Sequence, residues 1–268
     1  MARQGPVLCL HGFTGTPFDL GTLARALEAR GHLVAAPMLP GHGGTVADLA
    51  ATSPDDWLAA ADAELTKLVA ASRTRVAIAG ASMGALLALR LARRRPGDVA
   101  ALVLLGTALR WRPIDRIRVR LLSRFYAILG RHNVAFPKKG GVDIADPEMR
   151  RLAPSLAAFP ISGLDRLITL SDAAAADLPF VTSPTLVVHG RLDRGFPLAV
   201  SEEIAAKLGA SIVECFWADN SAHLVAVDRD REAVAERVSA FLDHHAVWET
   251  PAAGARGASE AAAVTERR

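Results

Sequence analysis

Val76-Ala77-Ile78-Ala79-Gly80-Ala81-Ser82-Met83-Gly84-Ala85-Leu86-Leu87-Ala88-Leu89-Arg90-Leu91-Ala92 is the stretch on which the fold turns. An apolar run enters a Gly-x-Ser-x-Gly pentapeptide, and a run of good helix formers leaves it. A serine on such a strand-to-helix turn is held in a strained backbone with its hydroxyl presented outward. A Cβ at either flanking glycine would crowd the turn or the neighbouring strand. The turn also opens a helix, whose first N–H groups lack partners and attract negative charge. Five residues thus supply a nucleophile and part of an anion site. Taken alone, the same pentapeptide also fits an ordinary glycine turn.

A serine hydroxyl is a poor nucleophile near neutral pH. It needs a base to take its proton and a carboxylate to orient that base. On this kind of turn the partners follow in the order Ser, then Asp or Glu, then His. Pro184-Thr185-Leu186-Val187-Val188-His189-Gly190 predicts a buried strand, and Arg191-Leu192-Asp193-Arg194 sets Asp193 just beyond its carboxyl end. Residues 212–216 predict another strand. The polar loop Trp217-Ala218-Asp219-Asn220-Ser221-Ala222-His223 follows it and carries His223. Loops after strands are where an open α/β sheet gathers its chemistry. Bland alternatives exist at each position: Asp193 could pair with Arg191 or Arg194, and His223 could be a structural loop histidine. Asp219 ranks second as the carboxylate, because it is only four residues from His223. His11 and His42 precede the serine, His189 falls at a strand end, and His244 and His245 sit on a terminal helix.

Val7-Leu8-Cys9-Leu10-His11-Gly12-Phe13-Thr14-Gly15-Thr16 is the second signature. An apolar strand runs into His-Gly and a loop of small residues. A negative oxygen formed at Ser82 would need preorganised donors there. The expected donors are the backbone N–H groups of Phe13 and Met83. His11 is expected to support the loop by hydrogen bonding.

Strand and helix patterns alternate along the chain: strands at 7–10, 32–36, 75–79, 99–105, 184–190 and 211–216, with helical stretches between them. This predicts an α/β fold: a doubly wound, mainly parallel sheet of about six strands with right-handed crossovers. Ser53-Pro54-Asp55-Asp56 supplies an N-cap, a first-position proline and first-turn acids. The pattern changes over 109–172, where three helical stretches need no strand. We assign the core to 1–108 and 173–246, a small helical cap to 109–172, and a disordered tail to 247–268. In the cap, Leu121, Leu122, Phe125, Leu164, Leu167 and Ile168 are the candidates to face a pocket, although helical apolar stripes more often serve packing. The run of Arg116, Arg118, Arg120 and Arg124 reads first as a solvated, salt-bridged helix face.

These motifs resemble the α/β-hydrolase superfamily, and more closely its bacterial carboxylesterase and monoacylglycerol-lipase group. The likeness also includes Pro40-Gly41-His42-Gly43, Thr52-Ser53-Pro54-Asp55-Asp56-Trp57, His189-Gly190-Arg191-Leu192-Asp193 and Ser221-Ala222-His223. The resemblance implies a Ser82–His223–Asp193 triad, oxyanion donors at Phe13 and Met83, and a cap inserted after the strand that follows the nucleophile helix. It implies a serine carboxylic-ester hydrolase for short- to medium-chain acyl esters, monoacylglycerols among them, working through an acyl-enzyme. Thioesterase and acyltransferase chemistry use the same triad, and a non-catalytic ligand receptor is the alternative from another class.

The 268 residues, 51% hydrophobic and 22% charged, suffice for one such domain with an insertion. A net charge of +3 is no argument for nucleic acid. Cys9 and Cys215 are expected as reduced residues in buried strands, without disulfide or metal spacing. No metal or organic cofactor is required, and a small-molecule ester is the expected partner. The apolar run before His11 is too short for a signal peptide, and no window reaches 18 apolar residues. A cytoplasmic protein without stable membrane insertion is therefore expected.

Overall fold

The structure is a computed structural model, and it describes residues 4–131, 134–138 and 140–249. Six strands form one parallel sheet: β1 Pro6–Leu10, β2 Leu33–Ala35, β3 Val76–Ala81, β4 Val99–Leu105, β7 Thr185–Gly190 and β8 Val213–Ala218, in the spatial order β2-β1-β3-β4-β7-β8. The helices are α1 Gly21–Ala29, α2 Val46–Ala51, α3 Pro54–Ser72, α4 Met83–Arg94, α5 Pro113–Ile128, α6 Pro147–Leu152, α7 Ile161–Asp177, α8 Leu198–Lys207 and α9 Arg231–His245. The strand order reverses between β1 and β3, so their carboxyl ends flank the crevice in which such sheets bind ligands.

The period-two pattern of β1 builds both layers of the core. Leu8 and Leu10 join one cluster with α3, α4 and α7, and Val7 and Cys9 join another with α1 and α9. β1, β3, β4 and β7 are buried along their whole length, which is why they appear as near-continuous apolar runs. Ser53 caps α3 through a capping box with Asp56, and Pro54 occupies the first helical position.

The nucleophile turn is shaped by close backbone approach. A Cβ on Gly80 would lie 2.3 Å from the Gly84 carbonyl oxygen, and one on Gly84 would lie 1.9 Å from the Leu10 carbonyl oxygen. α4 can sit against the sheet only because these side chains are absent. Gly84→Ala is therefore expected to destabilise the protein by about 3 kcal/mol, the upper end of ordinary overpacking, because the obstacle is strand backbone. A denaturant midpoint equal to the wild-type value would contradict this packing.

Three expectations are corrected. The segment between β4 and β7 contains strands: β5 Ala135–Pro137 pairs antiparallel with β6 Ala158–Pro160, joining Phe136 to Phe159. Three-residue strands that each end in proline carry no periodic signal. Cys215 is exposed rather than core, because β8 lies at the edge of the sheet, whereas Cys9 is buried. Residues 247–249 are ordered: Trp248 is buried, its carbonyl accepts from the Arg75 N–H at 2.9 Å, and Val247 N–H donates to Ala100. The rest of the expected tail, from Thr250 onward, lies outside the described residues. α7 runs unbroken across residue 172, the expected edge of the cap. Among the described residues, no helix is long and apolar enough to cross a membrane.

Candidate active site

Ser82 sits between β3 and α4 with φ 54° and ψ −110°, outside the regions that non-glycine residues favour. The backbone is held there by bonds on both sides: Ser82 N–H donates to the Leu105 carbonyl, and Ala85 N–H returns to the Ser82 carbonyl. Met83 is the first residue of α4, so its N–H has no intrahelical acceptor. Gly12, at the end of β1, brings the first loop against the serine. A Cβ added to Gly12 would stand 3.2 Å from the Ser82 Cβ.

His223 and Asp193 reach the serine from the loops after β8 and β7. His223 Nε2 lies 2.9 Å from Ser82 Oγ, and His223 Nδ1 lies 2.7 Å from Asp193 Oδ2. A carboxylate only accepts, so Nδ1 carries the proton and Nε2 is left to accept from the serine hydroxyl. The other carboxylate oxygen, Oδ1, accepts the N–H groups of Gly195 and Phe196, both at 2.8 Å. The Phe196 ring stacks on the imidazole, with centroids 5.5 Å apart.

The rival partners are engaged elsewhere. Arg191 pairs with Asp219 at 2.7 Å, and Arg194 pairs with Asp143. Neither arginine takes Asp193, and Asp219 points into solvent with its side chain 73% exposed. His189 is buried in β7 against Ser201 and the Phe196 carbonyl; its Nε2 stands 3.6 Å from Asp193 Oδ2, farther than the 2.7 Å of His223. His11 Nε2 accepts the Leu39 N–H, so Nδ1 donates to the Gly12 carbonyl, and burial with the neighbouring His42 pulls its pKa down to about 3.

Charge is arranged unevenly around the relay. Burial works against a charged His223 ring, but the Asp193 carboxylate, aided by Asp143 and Asp19, holds its pKa above the usual 6.5. Burial likewise opposes the Asp193 carboxylate, and His223 keeps its pKa below the ordinary value. Among the further ionisable groups that line the site are Asp19 and Lys138, which the sequence reading did not single out. Burial pushes the carboxyl of Asp19 up to about 6, against the Gly12 N–H it accepts at 3.0 Å and the nearby Lys138. Burial pulls the ammonium of Lys138 down to about 8, against Asp19. Asp19 had a signal: it is an acid on the same helical face as Leu20, Leu23 and Leu27, beside the His-Gly loop. Lys138 had none, because its position depends on the β5–β6 ribbon.

Ser82 and His223 open into a cavity of about 490 Å³. Ala108, Trp111, Phe159, Leu164, Leu167 and Leu224 are among its apolar lining, and Thr14, Asp19, Lys138 and Ser155 are polar. Leu164 and Leu167 line it as expected, but Ile168, Leu121, Leu122 and Phe125 do not. Ile168 is fully buried in the packing around α7. α5 docks on α7 through Arg116 and Arg120, which both bond Asp172. That docking leaves Leu121 and Phe125 facing outward, 63% and 55% exposed, and Leu122 half-buried away from the cavity.

Residues 2–230 match the model of the family described as serine aminopeptidase, S33. The chain belongs to this family. It is a serine hydrolase of the α/β-hydrolase group. The hydrolase is 29% identical over 247 residues to a thermostable monoacylglycerol lipase of Bacillus sp. strain H-257, covering 91% of this chain and 94% of that one. It is 27% identical over 237 residues to a carboxylesterase of Bacillus subtilis strain 168, covering 88% and 92%. A solved structure from work on the metagenome-derived lipolytic enzymes LipS and LipT superposes with a TM-score of 0.81 at 30% identity, covering 91% of this chain and 96% of that one.

Proposed function

We propose that this hydrolase cleaves carboxylic esters of short to medium acyl chain, monoacylglycerols included, through an acyl-enzyme on Ser82. The observation that carries the reading is the relay of 2.9 Å and 2.7 Å from Ser82 through His223 to Asp193, opening into a cavity with a largely apolar wall. Its volume falls within the roughly 300–1,000 Å³ of small-molecule sites.

In this reading Ser82 Oγ attacks the ester carbonyl carbon as His223 Nε2 takes its proton. The carbonyl oxygen becomes an anion held by the Phe13 and Met83 N–H groups. Collapse expels the alkoxide, which leaves as the alcohol with the proton from His223. Water then attacks the acyl-enzyme with His223 again as base, releasing the acid and restoring Ser82. The similarity to a monoacylglycerol lipase and a carboxylesterase supports an ester as the substrate. Of the cavity's acids, Asp143 is paired with Arg194, Asp115 lies 3.7 Å from Arg112, and Asp19 accepts from Gly12, so each already has a partner.

A panel of p-nitrophenyl esters and monoacylglycerols of graded chain length tests the proposal, run beside labelling with a serine-directed fluorophosphonate. The expected result is one label at Ser82 and a kcat/KM that peaks at short or medium chains. Faster turnover of matched thioesters or aminoacyl amides would assign the enzyme to another reaction. Ligand binding without labelling would favour a receptor.

A further inference from the structure

The loop that carries Phe13 is gripped from two sides, once from the core and once from the segment between β4 and β7. The peptide linking Gly12 to Phe13 is planar, so fixing its carbonyl fixes the direction of the Phe13 N–H. That carbonyl accepts from Gly15 N–H at 3.1 Å and from His11. On the core side, the Gly12 N–H donates to the buried carboxylate of Asp19 at 3.0 Å. On the other side everything meets Thr14. The Leu156 N–H and the Ser155 hydroxyl both donate to the Thr14 carbonyl at 3.0 Å. Lys138 Nζ donates to the Thr14 hydroxyl and, at 2.6 Å, to that of Ser155. The Thr14 hydroxyl in turn donates to the Phe13 carbonyl. Thr14 itself has φ 66°, a left-handed conformation that a β-branched residue holds only under restraint.

The charges fit the same arrangement. Asp19 is a buried acid beside the place where an oxyanion would form, and an uncompensated carboxylate there would oppose that charge. The ammonium of Lys138 is the compensating cation, and among the described residues no carboxylate lies within salt-bridge distance of it. It meets Thr14 and Ser155 with neutral hydroxyls.

We propose that Lys138 and Asp19 are positioning residues that clamp the 12–14 loop, so that the segment between β4 and β7 sets the Phe13 donor through Thr14. This rests on the ester-hydrolase reading for the role of Phe13. Lys138 touches neither Ser82 nor His223 and acts through the loop.

The test measures binding of an alkyl boronic acid together with ester kinetics. Ser82 Oγ adds to boron, the serine proton passes to His223, and the tetrahedral boronate carries its negative charge beside the loop. Binding needs the serine and the oxyanion donors but no turnover, so it reads the clamp even if esters prove the wrong substrate. Displacing a donor by a fraction of an ångström to 1 Å costs up to about 100-fold. Lys138→Met is expected to weaken boronate binding and lower kcat by the same factor, about 10- to 100-fold, with KM within twofold. Thr14→Val should cost less in the Lys138→Met background than in the wild type, because the Lys138 bond to that hydroxyl is already gone. Asp19→Ala, which leaves the Gly12 N–H without its acceptor, should show the same split from the core side. Unchanged boronate affinity in Lys138→Met, or a loss confined to KM, would overturn the proposal and make Lys138 a bystander or a substrate contact. Ser82→Ala, which abolishes boronate adduct formation, separates failure of the clamp from failure of the catalytic reading.

Discussion

Ser82→Ala is expected to lower ester turnover by roughly 10⁴–10⁶ while the protein folds and binds substrate normally. The argument begins with backbone strain. Ser82 holds φ 54° and ψ −110°, which stores energy that buys presentation of its hydroxyl to His223. Alanine fits the same turn, since the neighbours that forbid larger side chains contact Gly80, Gly84 and Gly12. On the proposed mechanism, what alanine removes is the atom that attacks. The His223 ring, the Asp193 carboxylate and the Phe13 and Met83 amides stay in place, so residual hydrolysis by an oriented water sets the floor. KM should therefore move little while kcat collapses. Steady-state assays on p-nitrophenyl butyrate, with fluorophosphonate labelling as control, measure it. A variant that kept even a tenth of the wild-type kcat would show that the chemistry runs through some other residue.

Much of this arrangement was legible in the sequence because short-range physics fixes it. The alternation of Val7 and Cys9 with Leu8 and Leu10 encodes a strand between two apolar layers, and the two core clusters divide along that pattern. Ser53-Pro54 announces a helix start that no packing is needed to explain. The order Ser82, Asp193, His223 is what the resemblance implies, and each of the three stands on a loop after a strand of the parallel sheet. What could not be read depends on choices made between distant segments. α5 carries both arginines and apolar residues, and its docking on α7, where Arg116 and Arg120 bond Asp172, leaves Leu121 and Phe125 outward. Cys215 sits in an apolar strand whose exposure depends on its being last in the sheet. Lys138 gains its place through the pairing of Phe136 with Phe159. Trp248, like Asp19, was a missed signal that was local, since a large aromatic ring in a polar tail needs somewhere to be buried.

Asp193→Asn is expected to cost about 10⁴ in kcat with the fold and the substrate affinity preserved. The reason is the direction of hydrogen bonds. The oxygen Oδ1 accepts two backbone N–H groups, from Gly195 and Phe196, and an asparagine keeps its carbonyl oxygen there to satisfy both. Its NH₂ group then occupies the position of Oδ2, 2.7 Å from His223 Nδ1. A donor facing that nitrogen forces Nδ1 to accept, so the ring proton moves to Nε2. The imidazole then donates toward Ser82 and can no longer take its proton. The pH profile gives an independent sign. With Asp193 present, the His223 pKa lies above 6.5, and only the neutral ring is a base, so wild-type kcat/KM should rise with pH through a midpoint above 6.5. Removing the carboxylate leaves burial as the leading influence on the ring, and burial disfavours the imidazolium. The acid limb of the residual activity should therefore move to lower pH. A limb that stayed in place, or a loss of less than tenfold, would mean that Asp193 neither orients nor charges the base, and the relay would have to be assigned to another carboxylate near His223.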